Sequence, residues 1–256
     1  GIYSSSDGAR SRHNHLKKKF PDFGKVTFLQ ADGGVFLNSE EQSKSLNNIS
    51  NENKKDIDKI FTTDRKFDII SSQFVIHYLF GSESSINNLI KNITTFLRKD
   101  GYIILTLFDS ELVDKAMDDD NKYTSYYTNE DGKREVLYEI VKKYSSLDNT
   151  IGNPIDVHMS WISDTDKYIE EYLVSKELMI NTMKKAKCTL VETDLFSNIY
   201  KINEQYFKEV IKYEENPKNK QFYEKVAQYY GDLKGADKES QNYSFLFRYY
   251  IFQKIE

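Results

Sequence analysis

Few side chains in this sequence have types and positions that suggest chemistry, and the chemistry they suggest is recognition of a ligand. Asp32 follows an apolar run, where a carboxylate either accepts a hydrogen bond from a ligand amine or caps a turn. His77 and Tyr78 form an adjacent pair of an imidazole and a phenol. A core histidine is more often a satisfied structural group, and a single tyrosine usually fills core volume. No set of nucleophile, base and orienting residue is evident, so the sequence gives no sign of covalent catalysis.

The elements that position these residues alternate between strand and helix. Strands are predicted at residues 25–30, 66–72 and 102–108, and an amphipathic helix at residues 84–97. The alternation of strands and helices implies parallel pairing through right-handed crossovers, and hence an open α/β sheet. Ligands of such sheets bind beyond the carboxyl ends of the strands. That edge carries Asp32, residues 73–78 and residues 106–109.

A second group of strands interrupts this pattern. Two β-rich stretches, residues 135–144 and 155–173, have no long helix between them, which predicts an antiparallel sheet inserted into the first one. Residues 117–132 are acidic and polar and are predicted to form a loop. The remaining predictions are a helix from near residues 4–7 to about residue 19, a short helix with a loop over 39–56, helices at 176–187 and within 202–230, and strands at 189–194 and within 244–254.

Composition limits the classes of function. The 256 residues carry a formal net charge of −4, which argues against a protein that coats nucleic acid without specificity. A single cysteine, Cys188, excludes an intramolecular disulfide and a multi-cysteine zinc site, and it agrees with a reducing, intracellular compartment. No apolar stretch is long enough for a membrane span, so we expect no membrane partner. The 19 tyrosines and 16 phenylalanines supply surfaces for stacking on bases as well as core volume.

Three motifs occur in the order found in mRNA cap guanine methyltransferases. The first is FDIISSQFVIHYLF at residues 67–80, which resembles the family's strand ending in Gln-Phe and followed by His-Tyr. The second is EYLV at residues 171–174, and the third is FQK at residues 252–254, which resembles the family's closing Phe-x-Lys. The segment SRHN at residues 11–14 also resembles the capping enzymes of large DNA viruses.

The resemblance implies one class I, Rossmann-like S-adenosylmethionine-dependent methyltransferase domain over residues 1–256, with an inserted cap-binding antiparallel sheet over residues 134–175. One departure concerns the cofactor site. The family's Gly-rich loop and the acidic residue that holds the cofactor ribose are absent from the 256 residues. In the implied fold the two strands that carry them lie between those at residues 25–30 and 66–72. We therefore expect the first two strands upstream of Gly1 and the domain to be N-terminally incomplete.

The resemblance also implies a role for each matched residue. The methyl donor is S-adenosylmethionine, S-adenosylhomocysteine is the product, and the expected cofactor contacts are Asp32, Gly33, Gln73 and Phe74. The expected substrate contacts are Phe74, His77, Tyr78, Glu171 and Phe247, and Arg12 is added to them as a contact of the triphosphate, because a guanidinium can form paired hydrogen bonds with phosphate oxygens. Among these, His77, Tyr78 and Glu171 position the guanine without acting as acid or base, and no metal is expected. Glu170 is an alternative to Glu171, and Tyr249 to Phe247, because Phe247 stands where the family usually has a tyrosine.

The function that follows is methylation of the cap guanosine of nascent mRNA at ring nitrogen seven. The expected partner is the capped 5′ end of an RNA, and the resemblance leaves room for guanylyltransferase and triphosphatase domains in the same polypeptide and for a stimulatory subunit. A viral protein would act in the cytoplasm, in a viral factory or virion, and a cellular one in the nucleus. Two other classes stay open. One is a catalytically silent methyltransferase fold that regulates or binds RNA, and the other is a small-molecule methyltransferase, which would lack His77, Tyr78 and Glu171 in combination.

Overall fold

The computed structural model describes residues 8–129, 131–162 and 167–256. The helices are α1 (Ala9–Lys19), α2 (Ser39–Ser45), α3 (Asn51–Ile60), α4 (Glu83–Phe96), α5 (Ser110–Ala116), α6 (Lys176–Lys185), α7 (Phe196–Tyr213), α8 (Pro217–Ala227) and α9 (Gly235–Ser244). The strands are β1 (Phe67–Gln73), β2 (Leu97–Phe108), β3 (Lys122–Thr128), β4 (Arg134–Lys142), β5 (Asn153–Met159), β6 (Ile169–Leu173), β7 (Cys188–Leu195) and β8 (Phe247–Lys254). Short 3-10 helices follow β1 at Ile76–Gly81 and α8 at Gln228–Tyr230.

The larger core is built on a four-stranded mixed sheet with the strand order β1-β2-β8-β7. β1 and β2 are parallel, with Ile70 opposite Ile103, whereas β8 is antiparallel to both β2 and β7. α4 connects β1 to β2, and its apolar face, which includes Ile86, Leu89 and Ile93, packs into the core of this sheet. The predicted α/β class, the parallel pair and the helix between its strands are confirmed.

The second sheet has the order β3-β4-β5-β6 and is antiparallel throughout. Buried side chains of this sheet, including Tyr138 and Ile155, pack against Tyr243 of α9 and Phe247 at the start of β8. The inserted sheet therefore meets the main sheet where β2 ends and β8 begins. The antiparallel insertion is confirmed, but the prediction of a loop over residues 117–132 is wrong, because that stretch contains β3.

The prediction of a strand at residues 25–30 is also wrong. A strand needs a neighbouring backbone to fill its hydrogen-bonding groups, and no described residue pairs with this segment in a ladder. Side-chain amides bond the backbone at the end of this segment and just after it. Asn53 bonds both backbone groups of Gln30 at 2.8 and 2.7 Å, and Gln42 bonds those of Asp32 at 2.7 and 2.8 Å. These amides come from α2 and α3, where the sequence predicted one short helix and a loop.

Two further differences lie near the ends of the chain. The predicted beginning of the first helix, at residues 4–7, falls outside the described residues, and α1 is seen from Ala9. The predicted β-rich segment 244–254 is a strand only from Phe247, and α9, which was not predicted, precedes it. Lys254 of the FQK motif is buried and donates hydrogen bonds to the carbonyls of Thr94, 2.7 Å, and Leu97, 2.8 Å, so the motif ties β8 to the end of α4.

Candidate functional site

A cavity of about 400 Å³ opens where the inserted sheet meets the carboxyl end of β1 and the start of β8. Its volume lies within the roughly 300–1,000 Å³ that is usual for sites of small ligands. Most of its wall is aromatic or aliphatic, and its polar groups include a carboxylate, an imidazole and hydroxyls. Five residues singled out from the sequence line this cavity: Phe74, His77, Tyr78, Glu171 and Phe247.

The carboxylate in the cavity is that of Glu171. On β6, Glu171 pairs with Ile155 and is only 5% exposed, whereas its neighbour Glu170 points to the opposite face of the sheet and is exposed. Glu170 accepts a hydrogen bond from the Tyr172 hydroxyl at 2.5 Å, away from the cavity. The structure thus distinguishes Glu171, which faces the cavity, from Glu170, which does not. The residue types alone could not distinguish them.

His77 and Tyr78 surround the Glu171 carboxylate. The Tyr78 hydroxyl donates to Oε1 at 3.0 Å, and Nε2 of His77 lies 3.1 Å from Oε2. His77 is 3% exposed, and neither of its ring nitrogens makes a well-aligned hydrogen bond within the described part of the chain. Nε2 of His77 is therefore close to the carboxylate, but the two groups are not aligned as a hydrogen bond.

The phenol of Tyr78 is held in its neutral form. Burial of the hydroxyl, followed by the negative charge of Glu171 and the hydrogen bond to it, raises the pKa of Tyr78 above the ordinary value of 10.0. The residue as a whole is 40% exposed, because its ring faces the cavity while its hydroxyl sits against the carboxylate. Tyr78 can therefore act as a hydrogen-bond donor throughout the neutral pH range.

Phe74 has a backbone conformation that is rare for its residue type. Its φ angle is +57°, in the left-handed region, and its N–H donates to the carbonyl of Thr106 at 2.9 Å and lies 3.1 Å from that residue's hydroxyl. Such conformations are costly for bulky residues and persist where the surroundings enforce them, often at functional sites. This conformation ends β1 sharply, and the ring, which is 46% exposed, meets Phe247 edge to face at 5.0 Å.

The ring expected on the guanine side comes from Phe247. It stacks on Phe108 with a centroid distance of 4.3 Å and an interplanar angle of 19°, and it is 7% exposed. The alternative, Tyr249, does not line the cavity, and its hydroxyl donates to Glu192 on β7. A tyrosine hydroxyl is nevertheless present nearby, because Tyr243 packs against Phe247 at 5.4 Å.

Several lining residues were not singled out from the sequence. Tyr243 is 8% exposed and donates its hydroxyl hydrogen to the sulfur of Met159 at 3.1 Å. Trp161 follows β5 and contacts the Tyr243 ring. Tyr243 belongs to α9, whose sequence shows no apolar periodicity. The single tryptophan was the only available signal for Trp161.

The other predicted contacts lie outside this cavity. Gly33 lines a separate apolar groove of about 350 Å³ beside β1, and the Gln73 amide donates to Ser71 Oγ and to the carbonyl of Ile104. Asp32 accepts hydrogen bonds from the Gly34 N–H, 2.8 Å, and from the Ser45 hydroxyl. Arg12 lies on α1 and lines another depression, together with Ser11, His15 and Leu16.

The described residues contain no group of three or more His, Cys, Asp or Glu side chains placed to hold a metal ion. Cys188 is buried, and burial raises the pKa of its thiol to about 11. Within the same residues, no helix has the length and apolar character needed to cross a membrane.

The mixed α/β sheet with its antiparallel insert agrees with the class I methyltransferase fold expected from the motifs, and the aromatic cavity lies where the two sheets meet. The model of the family described as "mRNA (guanine-N(7))-methyltransferase domain" matches residues 34–255. This chain therefore belongs to the mRNA (guanine-N(7))-methyltransferase family. The family expected from the three motifs, and with it the enzyme class, is confirmed.

Curated relatives agree with this assignment. A probable mRNA-capping enzyme of Acanthamoeba polyphaga mimivirus is 34% identical over 267 aligned positions, which cover 99% of this chain and 23% of that protein. An mRNA cap guanine-N(7) methyltransferase of Candida albicans is 26% identical over 140 positions, which cover 52% of this chain and 28% of that protein. The matched regions thus span about a quarter of the length of each of these relatives.

Similarity to solved structures is lower. A methyltransferase from Clostridium acetobutylicum ATCC 824 has a TM-score of 0.45 and 11% identity, covering 96% of this chain and 70% of that one. A methyltransferase from Mesorhizobium loti has a TM-score of 0.40 and 11% identity, covering 96% and 75%. Both are described as S-adenosylmethionine-dependent. At these scores the structures add nothing to the assignment, which rests on the family match.

Proposed function

We propose that this chain transfers the methyl group of S-adenosylmethionine to ring nitrogen seven of the guanine at the capped 5′ end of an mRNA. The observation that carries the proposal is a buried carboxylate, Glu171, inside an aromatic cavity of suitable size. Membership of the (guanine-N(7))-methyltransferase family supports the same reaction.

Glu171 suits guanine because of the pattern on the Watson–Crick edge of that base. Guanine presents a ring N–H next to an exocyclic amine, so one carboxylate can accept from both, whereas adenine presents an acceptor at the corresponding ring position. Each carboxylate oxygen has two lone-pair sites, so Glu171 can accept from the base while it keeps the Tyr78 hydroxyl. The rings of Phe247 and Tyr78 supply surfaces for the plane of the base.

The reaction requires little acid–base catalysis by the protein. S-adenosylmethionine supplies the methyl group as a sulfonium, and the accepting ring nitrogen has a lone pair and no proton to lose. The remaining work is to hold the base in one orientation, and such positioning contributes up to about 7 to 11 kcal/mol in favourable cases. The Tyr78 hydroxyl holds one oxygen of the Glu171 carboxylate, His77 packs within 3.1 Å of the other, and the carboxylate in turn holds the guanine edge.

The described residues fit one part of a cofactor site. Asp32 retains lone-pair sites for the adenine amine beyond the bonds to Gly34 and Ser45. The backbone is tightly packed beside it, since a Cβ added at Gly34 would lie 3.1 Å from Oδ1 of Asp32 and 3.1 Å from Oγ of Ser85. β1 has no neighbour on its outer edge among the described residues. We propose that polypeptide outside the described residues pairs with this edge and completes the site that Asp32, Gly33, Gln73 and Phe74 begin.

The relatives support a wider assignment. The mimivirus protein is named a probable mRNA-capping enzyme and is several times longer than this chain. We propose that guanylyltransferase and triphosphatase domains accompany this one in a polypeptide that acts in the cytoplasm of an infected cell. For the RNA triphosphate, Arg12 and its neighbouring lysines on α1 offer the cationic surface.

The test compares a guanosine cap with an adenosine cap. Binding of GpppA and ApppA is measured by calorimetry, and methyl transfer is measured on short RNAs that carry either cap. We expect binding and methylation of the guanosine cap only. The polypeptide tested includes the segment proposed to pair with β1, and binding of GpppA without methyl transfer by that polypeptide would favour the catalytically silent RNA-binding alternative. Equal use of both caps, or binding of neither, would overturn the proposed guanine pocket.

A further inference from the structure

Trp161 lies at the rim of the cavity and is 50% exposed. It is the only tryptophan in the sequence. Its ring meets that of Tyr243 at a centroid distance of 5.5 Å and an interplanar angle of 84°. An edge-to-face contact of this kind leaves at least one face of the indole available to a ligand. Half of the Trp161 side chain is therefore left outside the packing around Tyr243.

Four aromatic rings in a row form one wall of the cavity, the aromatic wall, which extends beyond the space that one base needs. From Phe74 the rings follow one another to Phe247 at 5.0 Å, to Tyr243 at 5.4 Å and to Trp161 at 5.5 Å. The two inner rings, Phe247 and Tyr243, are only 7% and 8% exposed, whereas the two outer rings are about half exposed. A guanine held beside Glu171 against the rings of Phe247 and Tyr78, as proposed above, would leave Trp161 at the rim uncovered. The proposed substrate has a second base within reach, joined to the guanosine through the triphosphate.

We propose that the indole of Trp161 stacks on the base of the first transcribed nucleotide of a capped RNA. This inference rests on the function proposed above and adds a second subsite to the same cavity. Stacking on an aromatic ring tolerates any base, because every base has a π-face, and it therefore suits a nucleotide whose identity varies between transcripts. It makes Trp161 a residue that distinguishes a capped RNA from free guanosine triphosphate.

The tryptophan itself reports on this contact. Because the chain has no other tryptophan, its intrinsic fluorescence can be titrated with GpppA and with GTP, which has the guanosine and the triphosphate but no second base. We expect GpppA to quench the fluorescence strongly and GTP to change it little at matched saturation. Equal responses to the two ligands would contradict the stacking contact.

Substitution gives the second arm of the test. Trp161→Ala should raise the KM for capped RNA and the Kd for GpppA by about 5- to 100-fold, the usual effect of losing one base stack. The Kd for GTP should stay within about 2-fold, and Trp161→Phe should restore most of the loss. Ile202→Ala on α7, where the side chain is 70% exposed, is the matched control and should change neither. Equal weakening of GpppA and GTP by Trp161→Ala refutes the second subsite alone, whereas a wild-type protein that binds neither ligand refutes the proposed function as well.

Discussion

Replacement of Glu171 by glutamine removes one charge from the cavity and leaves its shape unchanged. The side chain is 5% exposed and lies 3.0 Å from the Tyr78 hydroxyl and 3.1 Å from Nε2 of His77. Glutamine has one acceptor oxygen in place of two. If that oxygen keeps the Tyr78 hydroxyl as its donor, the amide nitrogen takes the other oxygen's place and presents N–H groups to the base.

The expected loss follows from the hydrogen bonds concerned. A hydrogen bond to a charged group contributes about 1.5 to 3 kcal/mol and a neutral one about 0.5 to 1.5, so each bond weakens by about 1 kcal/mol. The mismatch of an amide N–H against a guanine N–H adds a further loss of similar size or more. Together these effects amount to about 2 to 4 kcal/mol, which corresponds to roughly 30- to 1,000-fold in kcat/KM.

The assay is methylation of a short capped RNA at limiting substrate, paired with a titration of S-adenosylmethionine for each variant. Glu170→Gln is the matched control, because that carboxylate is exposed on the other face of β6, and it should stay close to wild type. Cofactor affinity should be unchanged in both variants. Full activity in Glu171→Gln, or a defect confined to cofactor binding, would refute the assignment of this carboxylate to the guanine edge.

Three other predictions concern cofactor binding and stability. Asp32→Ala should weaken S-adenosylmethionine binding more than cap binding in calorimetric titrations. Ser45→Ala is the control and should affect cofactor binding less. Unchanged cofactor affinity in Asp32→Ala would contradict the role of Asp32 as a cofactor contact. Lys254→Met removes two charge-assisted bonds to the carbonyls of Thr94 and Leu97, and it should lower the free energy of unfolding in urea by about 2 to 4 kcal/mol. Exposed Lys18→Met is the control, and equal stability of the two variants would count against this role of Lys254. Burial raises the pKa of several tyrosines above 10.0, and five of them are raised most. The folded state therefore holds their protons more tightly than the unfolded state does, and stability is retained below about pH 10 and lost as the pH rises above it. Tyrosinate absorbance should therefore show a group of phenols that ionise only on unfolding, and a single smooth titration centred near pH 10 would exclude this; the residues are Tyr78, Tyr138, Tyr144, Tyr243 and Tyr250.

The elements that sequence reasoning predicted well are those whose signal is local. β1, β2 and α4 carry apolar runs or helical periodicity that depend only on their own residues. The segment 25–30 shows an equally apolar pattern, but a strand exists only when another backbone pairs with it. The Asn53 amide on α3 bonds the backbone of Gln30 at the end of the segment instead, and no periodicity reveals such a side-chain contact.

β3 and α9 were missed for a different reason. β3 is an edge strand that is polar along most of its length, and only Ser125 on it is buried, so alternation of apolar and polar residues does not mark it. α9 is polar too, with Tyr243 as its single buried residue. Both elements are stabilised by contacts with segments that are distant in the sequence. The residues of one segment alone do not reveal those contacts.

The candidate site also depends on contacts between residues that are distant in the sequence. Glu171 and Tyr78 are separated by 93 positions in the sequence yet share a hydrogen bond. The family resemblance brought these two residues into one site, because residue types alone indicate an exposed sheet carboxylate and a core tyrosine. Tyr243 and Trp161 have no matching motif, so their places in the aromatic wall could be found only once α9 and the end of β5 were packed together.

Glu171 and the rings around it are proposed to present a cap guanine to a methyl donor. This role is tested most directly by transfer of labelled methyl from S-adenosylmethionine to an RNA with an unmethylated guanosine cap, followed by nuclease digestion and identification of the methylated base. We expect the label to be recovered as 7-methylguanosine from the cap, and we expect none in uncapped RNA of the same sequence or in RNA with an adenosine cap. Label on another atom or base, or equal labelling of the uncapped RNA, would contradict this role.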